Sequence, residues 1–411
     1  MHDYWRAMRL FSPSLRRLLT TMALTTMVAF GLAAVLQNLY LLRLGYDARF
    51  IGLLYAFGQT VWAAAALPAS MLSRRTGLRN AFMFGVALFG LGLALILLVE
   101  GRPTSLWSAW LMAGQGVMML GAAFITVNIP PYLMAVTGET ERRHAFSAFQ
   151  AVIPTMAFIG SLMAGLLPGL FAAQLNLSMD DPAPYRLALW FAPCVMALAI
   201  LPMFGADPAR IIDTGRGPGG SGRAPYGLFA FLGIIVFFQA IGEGTVRTFF
   251  NVYLDTSLAV PTAQIGIVMG TAQLLPILAA LSTPLLMQRW GTGYTLVAAT
   301  LGIGLFLLPL AAVPQLWAAS LAFMGIMGTI TVISASRDLF GQEIVVVRWR
   351  TTAQAVAMIG LALGWAAAGA MGGYLIETVG FGAMFFIGAV SAGLSALLLI
   401  RLLRRRGERF R

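Results

Sequence analysis

The sequence predicts an all-α integral membrane protein of twelve transmembrane helices in two six-helix, pseudo-symmetric halves, and three observations carry that expectation. Hydrophobic residues make up 59% of the 411 positions and charged residues only 10%, whereas about a quarter of residues are charged in soluble chains. Twelve apolar runs are long enough to cross ~30 Å of hydrocarbon. Blocks of the first six runs recur in the last six. No segment of ordinary polarity is long enough to fold as a soluble enzyme domain.

Taken in order, the runs fall near 18–42, 51–72, 79–99, 105–135, 145–171, 185–204, 226–254, 262–287, 294–313, 316–337, 351–377 and 381–403. The first is expected to be a retained helix, because no small-residue cleavage site follows a short apolar core. Residues 205–225, with Gly, Pro and Ser crowded between Gly217 and Pro225, neither pack nor continue a helix. They read as a cytoplasmic linker between an N-terminal half, 1–204, and a C-terminal half, 226–411.

The formal net charge is +12, and all 27 basic residues are arginine. Most of them, among them Arg16, Arg17, Arg74, Arg75, Arg79, Arg289, Arg337 and Arg350, fall on one side of the twelve-span topology, against Arg43, Arg49, Arg102 and Arg186 on the other. The positive-inside rule places the crowded side, and both termini, in the cytoplasm. The charge is a topology signal and not a nucleic-acid surface.

Three blocks repeat in order. Gly31, Asn38, Tyr40 and Leu41 return as Gly244, Asn251, Tyr253 and Leu254, an offset of 213. Ile51, Gly52, Gln59, Arg75 and Gly77 return as Ile265, Gly266, Gln273, Arg289 and Gly291, an offset of 214. Gln150, Gly160 and Gly165 return as Gln354, Gly364 and Gly369, an offset of 204. The glycines within spans are expected to let helices approach closely, and Pro130, Pro131 and Pro154 to kink or end theirs.

The short connections after spans two and eight carry Arg75-x-Gly77 and Arg289-x-Gly291, tight turns in which glycine gives backbone freedom and arginine a membrane-side anchor. Here the chain resembles the major facilitator superfamily, whose loop between helices two and three carries Gly-x-Leu-x-Asp-Arg-x-Gly-Arg-Arg, echoed between helices eight and nine. Leu72, Arg75, Gly77 and Arg79 match in register. The acidic position holds Arg74 in the first copy and Gln288 in the second, and Ser70 and Pro284 replace the leading glycine. The resemblance implies that Arg75, Gly77, Arg79, Arg289 and Gly291 help hold a cytoplasmic gate. An even number of spans per half makes the copies parallel repeats, and in transporters so built the substrate site lies near the midplane.

The seventh run holds two full charges. Gln239, Glu243, Arg247 and Asn251 recur every four residues, so on a helix they form one slowly turning polar stripe. A charge at the bilayer centre costs at least ~2.5 to 3.5 kcal/mol and usually faces a bundle interior or a watery cavity. The stripe is therefore expected to line a substrate or proton pathway, with Glu243 as the proton site and Arg247 four residues on, in the order that favours an ion pair. The duplication sets Thr26, Phe30, Ala34 and Asn38 opposite these four, so the charges belong to one half. Gln37, Asn38 and Gln115 are further candidate pathway groups or helix-to-helix contacts. Trp62 and Trp365 sit deep enough to line a cavity.

Cys194 is alone and expected to be an inert buried thiol, and His2 and His144 lie far apart, so no disulfide framework or metal cluster is expected. No phosphate loop, paired catalytic carboxylates or nucleophile with base is present. The expectation is a secondary transporter without cofactor, not an enzyme, in a bacterial plasma (inner) membrane. It moves a small, amphipathic organic solute by alternating access, with protons as coupling ion and export as the first direction. Symport of a sugar, nucleoside or organic acid is the runner-up, followed by lipid translocation and a transporter-shaped sensor. A monomer is expected.

Overall fold

The computed structural model describes residues 11–208, 226–346 and 349–407, so the expected linker lies outside the described residues from position 209 onward. Among the described residues there are twelve helices long and apolar enough to cross a membrane, and no strand. They are α1 (Pro13–Arg43), α2 (Ala48–Thr76), α3 (Leu78–Leu97), α4 (Thr104–Val136), α5 (His144–Leu175), α6 (Pro182–Gly205), α7 (Tyr226–Ser257), α8 (Thr262–Trp290), α9 (Thr292–Ala312), α10 (Leu316–Ile344), α11 (Thr352–Thr378) and α12 (Phe381–Arg404).

Each helix begins and ends within a few residues of the apolar run that predicts it, save α10. That helix continues from position 337 to Ile344, because Arg337, Gln342 and Glu343 lower hydropathy while remaining good helix formers. Pro130, Pro131 and Pro154 lie inside helices and end none. The helix of α8 is instead interrupted between Ala272 and Leu275, just before Pro276. Wider π turns occur at Met27–Leu32 in α1 and Tyr253–Ser257 in α7.

Cys194 corrects one expectation, for it is exposed and not buried. It shares the outer face of α6 with exposed Phe191 and Leu198. In a membrane helix apolar side chains are stable facing lipid as well as protein, so hydropathy does not separate the two.

The described residues form two compact units. One takes in those within Met1–Gly45, Thr60–Asp213 and Thr262–Gly270, the other those within Tyr46–Gln59, Thr214–Pro261 and Thr271–Arg411. In the first unit α3 packs on α4 and α6, and α5 on the π turn of α1; in the second α9 packs on α10 and α12, and α11 on α7.

The repeated glycines are where these backbones meet. In the first unit a Cβ on Gly31 would stand 2.5 Å from the Gly160 Cα, and one on Gly160 only 2.2 Å from the Met27 carbonyl oxygen. In the second unit a Cβ on Gly364 would stand 2.5 Å from the Phe237 carbonyl oxygen, and one on Gly244 2.7 Å from the Ala368 Cβ. Two further glycine pairs of the repeat meet directly. Gly165 of α5 meets Gly266 of α8 within the first unit, and Gly369 of α11 meets Gly52 of α2 within the second. The same helix pairs therefore meet in both copies, although Gly244 and Gly364 each face other residues of the opposite helix where Gly31 and Gly160 face one another.

The connecting glycines act differently. Gly77 and Gly291 take φ of +87° and +80°, a region that side chains with a Cβ rarely enter. Arg79 leaves this turn to donate to the Ala206 carbonyl at 2.8 Å, beside Arg17, which donates to the Gly205 carbonyl. Ser14 donates to Asp207 at 2.6 Å and Tyr132 to the Asp207 carbonyl at 3.0 Å. The end of α6 is thereby fastened to α1, α3 and α4. Arg75 and Arg289 are exposed.

These contacts make Gly160→Ala a test of the packing. Its Cβ meets backbone that cannot move aside, so it is expected to destabilise the protein by about 1–3 kcal/mol in thermal unfolding of detergent-solubilised protein. Gly169→Ala, whose Cβ meets nothing within 4 Å, is expected to leave the transition where it is.

Candidate functional site

The local sequence of α7 explains how its stripe survives. The helix is regular from Tyr226 to Val252, so Gln239, Glu243, Arg247 and Asn251 keep their fourfold spacing on one slowly turning face. Small residues flank the acid. Gly242 and Gly244 bring α12 and α11 close, with Gly388 and Ala368 their respective neighbours, and leave Glu243 with a side chain only 4% exposed.

Arg247 Nε donates to Glu243 Oε1 at 2.6 Å. This is a short, charge-assisted bond made through Nε. The Arg247 side chain is 32% exposed, in contrast to its partner. Its guanidinium lies 5.8 Å from the Trp365 ring centroid on α11, within cation–π range. Tyr55 of α2 packs against Gly369, one turn along α11 from Trp365. The three aromatic and charged groups come from α2, α7 and α11, all within the second unit.

The other stripe residues are closed off. Asn251 is buried, its amide oxygen accepting the Val252 N–H at 2.9 Å. Gln239 is buried as well, donating to Thr300 Oγ1 at 2.7 Å, while its amide oxygen faces Arg337 of α10 at 3.5 Å. Of the four, Arg247 alone is partly open.

In the first unit Gln37 donates to Gln115 at 2.8 Å, tying α1 to α4. Asn38 is buried beside it. Trp62 donates to Thr126 at 3.3 Å. Phe30, at the position equivalent to Glu243, is 48% exposed. The structure brings together Glu243 with Arg247, and Gln37 with Gln115. It joins Gln239 to a residue that sequence reasoning treated as a topology anchor.

Two groups beside Arg247 and Gln239 were therefore missed. Tyr55 has no charge and no repeat to mark it. Arg337 carried a usable signal, since a basic residue continued by helix-forming residues need not end a span.

The pair can be tested by stability alone. Arg247→Leu leaves a buried carboxylate without its cation and is expected to cost about 3–5 kcal/mol, read by denaturant unfolding in detergent micelles. Adding Glu243→Gln to that variant is expected to restore most of the loss. A double variant no more stable than the single one contradicts the pairing.

Comparison with known proteins agrees with this architecture. The family model for the Major Facilitator Superfamily matches residues 18–226 and 232–410. No sequence among curated proteins matches significantly. Among solved structures the fold is similar to the nucleoside transporter NupG, with a TM-score of 0.73 at 14% identity over 94% of this chain and 99% of that one. It is similar also to a POT family transporter in complex with a thioalcohol-conjugated peptide, TM-score 0.71 at 14% identity over 96% of each chain. A bacterial homologue of the human lysosomal transporter Spinster, inward-facing and unoccupied, gives 0.66 at 15% identity over 94% of each. At these identities the likeness is one of fold. The chain belongs to the Major Facilitator Superfamily and is a multi-pass membrane transporter of small solutes, not an enzyme.

Proposed function

We propose that this chain is a proton-coupled secondary transporter of small amphipathic organic solutes, working by alternating access. The carrying observation is the Glu243–Arg247 pair. A buried acid whose counter-charge reaches partly open space can exchange that partner for a proton, because losing the cation raises the carboxyl's affinity for protons. Arg247 is then released toward the solute, with Trp365 and Tyr55 offering faces for an apolar body.

In this reading the halves 1–204 and 226–411, joined by the linker 205–225, are the moving parts. The contacts of Gly52 with Gly369 and of Gly165 with Gly266 separate as one face opens, and Arg75, Gly77, Arg79, Arg289 and Gly291 hold the other. The arginine asymmetry supports a cytoplasmic position for both termini, in a bacterial plasma membrane on this reading, and a monomer suffices because each half supplies half of the path.

Export in exchange for protons requires that solute and proton exclude each other; uptake with protons requires that they bind together. The solved relatives are described as carrying or binding nucleosides, a peptide conjugate and 5-aminolevulinic acid, solutes too unlike to select one for this chain. Arg247 of α7 and Arg337 of α10, set against the buried carboxylate of Glu243, favour the second arrangement for an anionic solute.

The test is proton movement in proteoliposomes loaded with a pH-sensitive dye while a panel of amphipathic organic solutes is added. Solute-dependent proton flux is expected with wild type and is expected to fall at least about tenfold in Glu243→Gln, the sign of the pH change separating exchange from symport. Full flux in Glu243→Gln contradicts the proton role.

A further inference from the structure

Arg337 reads from the sequence as an anchor at the end of a span, yet it lies well inside α10, which continues to Ile344. Its guanidinium does not run out along the helix. Nη1 reaches the Gln239 amide oxygen at 3.5 Å, the outer limit of a hydrogen bond. That oxygen is turned toward it because the Gln239 amide nitrogen is committed to Thr300, whose hydroxyl in turn donates to the Leu296 carbonyl at 2.8 Å. The receptor for Arg337 is thus held in place from α9.

What Arg337 lacks is an acid. Neither the Arg186–Glu100 nor the Arg247–Glu243 ion pair involves it. Neighbouring Asp338 is exposed and accepts from Gln354; Glu343 accepts from Thr292. A guanidinium offers five donors, and among the described residues one long contact to a neutral oxygen meets it. Within a membrane span such a charge is expensive unless something completes it.

Gln239 precedes Glu243 by one helical turn, about 6 Å along the axis. Along this wall of the second unit there are two guanidinium groups and one carboxylate, and the unmatched charge is Arg337. We propose that Arg337, with the Gln239 amide behind it, is an anion-binding position for the solute, which is an amphipathic organic monoanion. Its carboxylate, sulfonate or phosphate monoester group accepts from Arg337, and its apolar body lies along the half-exposed Phe237 and Phe238 of α7. The proposal rests on the transport reading above and names its substrate class. Because Glu243 repels the same anion, removing its charge strengthens anion binding, which is the linkage that symport needs.

The test uses three isosteric probes, 4-phenylbutyrate, 4-phenylbutanamide and 4-phenylbutylammonium, on full-length protein in detergent. The anion alone is expected to raise the unfolding temperature with concentration. Arg337→Gln is expected to weaken its apparent affinity at least about tenfold, Arg337→Lys to recover part of it, and Glu243→Gln to strengthen it roughly tenfold. Should the Arg337 variants fail to fold, the wild type still decides. Phenylglyoxal modification of Arg337, followed by mass spectrometry, is expected to slow in 4-phenylbutyrate and not in the amide. Equal stabilisation by anion and amide, no stabilisation by the anion, or unprotected Arg337 overturns the proposal. Binding with protection but without flux in liposomes sinks the transport reading and leaves the site; flux without protection does the reverse.

Discussion

In hydrocarbon a charge needs its counter-charge within reach, and on α7 Arg247 does this for Glu243 through a 2.6 Å bond. Much of the surrounding structure serves that pair. Gly244 and Gly364 let α7 and α11 approach, which sets Trp365 beside the guanidinium. Gly52 against Gly369 brings α2 to the same helix, and Tyr55 follows three residues later. Close helix packing, the main cohesive force once apolar burial no longer distinguishes protein from lipid, thus also positions the groups around the pair.

The two repeats have kept the packing and let the chemistry diverge. Gly31 meets Gly160 where Gly364 meets the backbone of α7, and Gly165 with Gly266 mirrors Gly369 with Gly52. Yet Phe30 stands where Glu243 does in the other copy. The paired tyrosines differ too. Tyr40 donates to Glu100, itself paired with Arg186, whereas the buried Tyr253 hydroxyl has no hydrogen-bond partner and its ring packs 5.3 Å from those of Phe381 and Phe385. On the proposed reading, the copy that carries Glu243 and Arg247 takes the proton chemistry, while the equivalent helix of the other copy makes neutral contacts such as Gln37 with Gln115.

The twelve spans were legible because hydropathy and length decide what crosses a membrane, and the repeat marked the glycines that matter. The Glu243–Arg247 bond was legible from spacing alone, since four residues on a helix fix the distance. Partners far apart in sequence were not. Nothing in the chain joins Gln37 to Gln115 or Gln239 to Thr300, because those pairs depend on how helices rotate against one another. Hydropathy also misled at two places. It ended the tenth span at Arg337 by counting charge as a boundary, and it read Cys194 as buried by treating apolar surroundings as protein.

The account turns on Glu243 exchanging Arg247 for a proton. The direct measurement is pH-difference infrared spectroscopy of the protein in lipid vesicles, comparing wild type with Glu243→Gln. On acidification the wild type is expected to develop a protonated-carboxyl band, together with loss of carboxylate absorption, that the variant lacks. Identical difference spectra from the two proteins contradict the claim that Glu243 is the group that takes up the proton.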